Sequence, residues 1–269
     1  MQLQGRRVLV TGASRGIGRE LVNEFAAAGA RVALVARSAP AIEKLAADVG
    51  GDAYPVDLCD ASALDGVWSR IERDGDVDVL VNNAGVDMTG RFAASDAAAI
   101  DALLRINLIA PIELCRQALQ TMLPRGRGHV VNVSSLAAMI PFPGLSSYGA
   151  SKAGLSRFTA GLRAELRGTG VGTTLVELGG VRTQMVENTR EYGPSRRAWE
   201  RVEKLQLSVD LDADVVARSV VRAVQRDRPS VQLPRRARAY PWLAHAPWRI
   251  TDMLLIGVDR HTDEQGDEP

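Results

Sequence analysis

A chain of 269 residues, 46% of them hydrophobic, is long enough to bury one large core. Its formal net charge of +1 offers no bulk attraction for nucleic acid, and no run reaches the roughly 18 apolar residues of a membrane span. The cysteines Cys59 and Cys115 and the scattered histidines His129, His245 and His261 lack metal-ligand spacing, so no metal is expected and both thiols are read as buried and free in a reducing compartment.

The first seven residues contain no apolar core of a secretory signal, which makes a cytoplasmic location the expectation. Residues 7–11 form an apolar, strand-like run. A turn with Gly12, Gly16 and Gly18 follows, then the helical pattern from Arg19 to Phe25. Strand, glycine turn and helix N-terminus make a cradle for a phosphate, with Ser14, Arg15 and Ile17 inside it. The same pattern also fits a strand-to-helix turn with no ligand. A second strand is expected at 31–36, ending on Ala36-Arg37. A third at 53–56 leads into Asp57 and Leu58, and a fourth at 78–82 runs into Asn82-Asn83-Ala84-Gly85. Asn107 is a polar residue within an apolar helical stretch. The fifth strand, 129–133, closes on Ser134 and Ser135. Tyr148 and Lys152 follow at i, i+4, on one face of a helix. A lysine there favours the phenolate and brings a tyrosine, normally near pKa ~10, toward acid/base work. Strands at 172–177 and 230–233 complete seven apolar runs separated by helical patterns. That alternation predicts a single doubly wound parallel sheet covered by helices on both faces, with a ligand crevice at the carboxyl ends of its strands.

These residues in this order resemble the short-chain dehydrogenase/reductase family. The resemblance spans about Leu3 to Leu233 and is carried by Thr11 to Gly18, Asn82 to Gly85, Asn107, Ser135, Tyr148 and Lys152. Tyr148 follows Ser135 by 13 positions, the family's usual interval, which selects Ser135 over Ser134. The resemblance implies a Rossmann-type catalytic domain over residues 1–233, with its sheet in the order 3-2-1-4-5-6-7. It implies a catalytic set of Asn107, Ser135, Tyr148 and Lys152, with Tyr148 as proton donor and acceptor. Ser135 would steady the substrate oxygen, Lys152 would also bond the nicotinamide ribose, and Asn107 would hold a relay water. It further implies a nicotinamide dinucleotide held by Gly12, Ser14, Arg15, Gly16, Ile17, Gly18, Arg37, Asp57, Leu58, Asn83, Ala84, Gly85, Tyr148, Lys152, Val181 and Thr183. An enzyme preferring NAD normally has a carboxylate where Ala36 stands. Arg37 beside Ala36, with Arg15 in the turn, favours a 2′-phosphate and hence NADP(H).

The family's proline after the sixth strand is replaced by Leu178, which is expected to loosen that turn slightly while keeping Gly179, Val181 and Thr183. Substrate contacts are expected from Ser135, Met139, Leu145, Tyr148 and Gly179, with Ile140, Phe142 and Pro143 in the same apolar loop. Residues 184–211 are polar with helical character; family members use this segment as a lid. The extension from 234 to 258 combines Arg235, Arg236, Arg238 and Arg249 with Tyr240, Trp242 and Trp248. It reads as a lid, an oligomer contact or an interfacial helix making weak peripheral membrane contact. The acidic stretch 259–269 reads as a disordered tail. The expected function is interconversion of a ketone or aldehyde and an alcohol on an apolar, lipid- or steroid-like small molecule, by a homo-oligomer (dimer or tetramer). The alternatives are a 3-oxoacyl-thioester reductase and, from another class, a non-catalytic dinucleotide sensor.

Overall fold

The computed structural model describes residues 1–204 and 211–234. The expectations for the extension from residue 235 onward, for the acidic tail and for 205–210 lie outside the described residues. Seven parallel strands form one sheet in the order β3-β2-β1-β4-β5-β6-β7. They are β1 Arg7–Thr11, β2 Arg31–Ala36, β3 Asp52–Pro55, β4 Val79–Asn82, β5 Gly128–Ser135, β6 Val171–Leu178 and β7 Ser230–Leu233. Each expected strand is present, with no end moved by more than two residues. Valine-rich runs suit strands buried on both faces, where branched side chains pack against the pleat.

Alternate residues of β1 feed the two halves of the core. Val8 and Val10 pack on one face with Phe25 and Leu21 of α1 (Gly16–Ala27) and Val220 and Val224 of α9 (Ala213–Gln225). Leu9 packs on the other with Trp68 of α3 (Ala61–Glu72) and Leu114 and Ala118 of α5 (Ala110–Met122). A fully buried side chain such as Phe25 contributes roughly 1.5–3 kcal/mol of transfer free energy. α2 (Ala39–Val49) covers β2 and β3, and α6 (Ser146–Glu165) covers β5 and β6. Helix starts are set locally: the Asp60 carboxylate accepts from the Ser62 and Ala63 N–H groups, and Asp96 caps α4 (Ala97–Leu104) by accepting from Ala99.

Between α4 and α5 the chain winds wider, as a π turn over Arg105–Ile109. Pro111 explains it in part, because it has no N–H to donate to the carbonyl four residues back, that of Asn107. Among the described residues no helix is long and apolar enough to cross a membrane. All strand carboxyl ends lie along one edge of the sheet. The strand order reverses between β1 and β4, which opens a crevice there.

Candidate active site

One cavity of about 1040 Å³ occupies this crevice. Its first end is made of backbone. The turn after β1 approaches the turn after β4 closely: a Cβ on Gly12 (φ +67°) would lie 2.8 Å from the Ala84 Cα. A Cβ on Gly18 would lie 2.0 Å from the Gly12 carbonyl oxygen, so only glycine lets α1 start against β1. Thr11 joins the two turns, its hydroxyl accepting from the N–H groups of Asn83 and Ala84, both at 3.0 Å. The Asn83 side chain donates back to the Thr11 carbonyl at 3.0 Å. The first turn of α1 has no side-chain cap and no acid, so its N–H groups are open to an anion.

Every residue expected to hold a dinucleotide lines this cavity: Gly12, Ser14 to Gly18, Arg37, Asp57, Leu58, Asn83 to Gly85, Tyr148, Lys152, Val181 and Thr183. Arg15 and Arg37 are exposed at its rim, and no acid stands at Ala36. This donor set, open helix amides with two exposed guanidiniums, fits a dinucleotide with an extra phosphate. Cys59, expected to be buried, is half-buried and also lines the cavity, because it sits in the turn beyond β3 and not in a strand. Cys115 is buried, and burial pushes its thiol up to about 12.

Ser135, Tyr148 and Lys152 lie where the two ends meet. β5 and β6 finish in register, Ser135 opposite Leu178. The Ser135 hydroxyl accepts from the Ala137 N–H at 3.1 Å and faces the cavity. Ser134 is engaged elsewhere, donating to the Lys152 carbonyl at 3.0 Å and sharing a hydrogen bond with Ser156 at 2.8 Å. Lys152 is buried beneath Tyr148, its ammonium 5.9 Å from the ring centre, and donates to the Val133 carbonyl at 3.0 Å.

The two groups are shifted chiefly by burial. Burial pushes the Tyr148 phenol up to about 12, and the Asp87 charge adds to the rise; a hydrogen bond with Ser135 works against both. Burial also pulls Lys152 down to about 8. Desolvation is the leading cause at both groups.

Asn107 does not line the cavity. It is fully buried behind it, accepting from the Val86 N–H at 2.9 Å and donating to the Val86 carbonyl at 2.8 Å and to Ser151 at 3.2 Å. Ser151 in turn donates to the Tyr148 carbonyl at 2.7 Å. Asn107 therefore ties the loop after β4 to the helix of Tyr148 and Lys152.

The second end is made of side chains. Leu145 and Gly179 line it, as expected, but Met139 does not; Ile140 and Phe142 do. A short 3-10 turn at Leu136–Ala138 ends at Met139 and turns the next residue inward. Pro143 is likewise outside the wall. Across from this loop stand α7 (Gln184–Thr189) and α8 (Gly193–Lys204), which bring Met185, Val186, Thr189, Trp199 and Val202 to the cavity. Trp199 packs on Phe142 with ring centres 4.9 Å apart and donates to Thr189 at 3.0 Å. Tyr192 seals the seam: a Cβ on Gly144 (φ +78°) would meet its ring at 2.6 Å. The resemblance marks the segment as a lid but none of these positions singly; the i, i+3 pair Trp199 and Val202 is a local signal, and it lies in a charged stretch.

The turn after β6 is firmer than the missing proline led one to expect. Gly179 donates to the Leu233 carbonyl at 2.8 Å, Arg182 to Leu211 at 2.9 Å, and Leu211 to Gly180 at 3.0 Å. These backbone bonds hold the turn in place of the ring.

A sequence model of the family described as short chain dehydrogenase matches residues 6–193. The probable oxidoreductase EphD of Mycobacterium tuberculosis is 37% identical over 237 residues, 82% of this chain and 40% of that protein. The present chain thus spans about two fifths of that relative's length. The ketoacyl reductase HetN of Nostoc is 39% identical over 71% of this chain and 69% of its own. A short-chain dehydrogenase from Sphingobium yanoikuyae, solved in complex with NADPH, superimposes with a TM-score of 0.76 at 26% identity, covering 97% of this chain and 99% of that one.

Proposed function

The chain belongs to the short-chain dehydrogenase family, and from that premise we propose that it is an NADP(H)-dependent oxidoreductase interconverting a ketone or aldehyde and an alcohol on a bulky apolar substrate. The observation that carries the reading is the meeting of Ser135, Tyr148 and Lys152 between a phosphate-type cradle and an apolar chamber in one cavity. The nicotinamide, when bound, supplies the hydride. Gly16 to Gly18, Arg15 and Arg37 are assigned its phosphates, Asp57 and Leu58 the adenine, and Asn83 to Gly85 the adenosine ribose. Val181 and Thr183 are assigned the nicotinamide end. The NADPH complex of the Sphingobium relative supports the choice of cofactor.

Tyr148 holds the proton at its phenol oxygen, giving it to the substrate oxygen in reduction and taking it back in oxidation. Ser135 donates to that oxygen as charge develops. Lys152 stabilises the phenolate and bonds the ribose, and Asn107 fixes the loop that borders both. The chamber formed by Ile140, Phe142, Leu145 and Trp199 favours a lipid- or steroid-like body. A catalytic unit ending at Leu233, a homo-oligomer and a cytoplasmic setting belong to the same proposal. The exposed Ile109 and Leu123 flanking α5 support the oligomer, and the free thiols support the setting.

A second reading, a 3-oxoacyl-thioester reductase, has the relationship to HetN in its favour. The test is a panel of apolar ketones, 3-oxoacyl thioesters and secondary alcohols with NADPH or NADP⁺, followed by absorbance. Reduction of bulky ketones is expected. Turnover of thioesters alone would favour the second reading; tight NADPH binding with no turnover of any carbonyl would favour a dinucleotide sensor.

A further inference from the structure

Beyond the four expected catalytic residues, the carboxylate of Asp87 lines the cavity on the loop that meets the apolar wall. Asp87 follows Val86, whose N–H and carbonyl are both held by Asn107. Three residues later Gly90 donates to the Gly144 carbonyl at 3.1 Å, which joins this loop to the apolar loop of Phe142 and Leu145. Asp87 is fixed between these two anchors, half-buried and lining the cavity. It forms no ion pair with a described residue. Arg15 is near enough to be felt as a cation and Glu191 as an anion, yet neither reaches it. Ile140, Phe142, Leu145 and Trp199 line the same cavity.

A carboxylate partly removed from water, with no cation in contact, is an unfavourable arrangement unless something else satisfies it. Burial accordingly raises its pKa above the ordinary carboxylate value. The Asp87 charge is also felt at the Tyr148 phenol, so the carboxylate lies near the reacting centre. Neither anchor of the loop uses the Asp87 side chain; the carboxylate accepts from its own N–H, which leaves it further acceptor capacity toward the cavity.

We propose that Asp87 is a specificity-determining residue that accepts a hydrogen bond from a donor on the substrate, a hydroxyl or an ammonium close to the carbonyl. This deepens, and rests on, the carbonyl-reductase reading above. The same charge disfavours substrates with an anionic group at that position.

The experiment compares acetophenone with its alpha-hydroxy and alpha-amino analogues in wild type, Asp87→Asn and Asp87→Ala, with circular dichroism and thermal unfolding to establish the fold of each. Wild type is expected to prefer the donor-bearing ketones. In Asp87→Ala the ratio of kcat/KM for donor-bearing over plain ketone should fall about 10- to 100-fold, the range for a hydrogen bond to a charged group. Asp87→Asn keeps an acceptor oxygen, so it should retain part of the preference for the hydroxyl and lose that for the ammonium. An unchanged ratio in Asp87→Ala overturns the proposal. If wild type reduces no ketone, the functional reading falls by itself. Calorimetric affinities of the amino and plain ketones for the protein–NADPH complex then decide the role of Asp87: a preference lost in Asp87→Ala upholds it, and one that persists removes it.

Discussion

The two ends of the cavity are built on different principles. The dinucleotide end consists of turns at the ends of β1, β2, β3 and β4, where glycines let main chains touch and a helix N-terminus stays uncapped. The substrate end consists of side chains from a loop and two short helices, packed through Phe142, Trp199 and Tyr192. A main-chain site depends on local conformation, so short motifs encode it. A side-chain site depends on which elements meet, so its composition is free to vary while the scaffold stays.

The largest effect is expected where the first end has no room. Gly18→Val puts side-chain atoms into the Gly12 carbonyl, 2.0 Å from the Cβ position alone, and neither backbone can yield cheaply. We expect NADPH affinity to fall by at least about 100-fold and the melting temperature to drop, since overpacking typically costs about 1–3 kcal/mol or more. Gly66→Ala is the contrast: it lies in α3, its Cβ would meet nothing within 4 Å, and it should gain roughly 0.5–1 kcal/mol. Equal affinities in wild type and Gly18→Val would break the account of the cradle.

Next is the junction of the two ends. Tyr148→Phe should lower turnover about 10²–10⁴-fold while the NADPH dissociation constant stays within about twofold. A variant with near-normal kcat would remove the phenol from the mechanism.

Much of the first end was legible in the sequence because its signals are local. Gly12, Gly16 and Gly18 follow an apolar run at fixed spacing, and Arg37 follows Ala36, which stands where an acid is expected for NAD. The strands were legible because each is a continuous apolar run. The second end was legible only in part: Leu145, Gly179 and a covering segment at 184–211 were expected, but not which of its side chains face the cavity. Trp199 and Val202 sit in a polar, charged segment, and nothing local says that this helix lies over Phe142. Met139 and Ile140 are equally apolar neighbours, and only the 3-10 turn before them decides which one enters the cavity. Two properties at the junction were also hidden. The spacing of Tyr148 and Lys152 pairs them but gives no depth, and burial reverses the direction of the phenol's shift. Asn107 reads as one polar residue in a helix, whereas the π turn brings it onto Val86.

A smaller effect sharpens the contrast at the substrate end. Trp199→Ala opens one wall without touching the cradle, so KM for bulky apolar ketones should rise about tenfold, in line with ~1–3 kcal/mol for lost pocket contact, and less for small ones. A rise in KM for NADPH instead would mean that the two ends are coupled through α8.

The smallest expected signal is a near-absence. With burial holding Tyr148 at about 12 in the cofactor-free protein, the folded phenol keeps its proton at pH values where an unfolded tyrosine has lost it. Stability from this group is therefore present below about pH 10 and is lost as pH rises toward 12. The difference in phenolate absorbance between wild type and Tyr148→Phe should stay close to zero up to about pH 10. A step near neutrality would show that Lys152 dominates after all.

The account's central claim, an oxidoreductase built for the phosphorylated dinucleotide, is tested most directly by equilibrium titration of the unmodified protein with NADPH and with NADH. Arg15 and Arg37 at the rim, with no carboxylate at Ala36, predict that NADPH binds about 10- to 100-fold more tightly, the range for charge-assisted bonds to one phosphate. Equal affinities, or tighter binding of NADH, would contradict it.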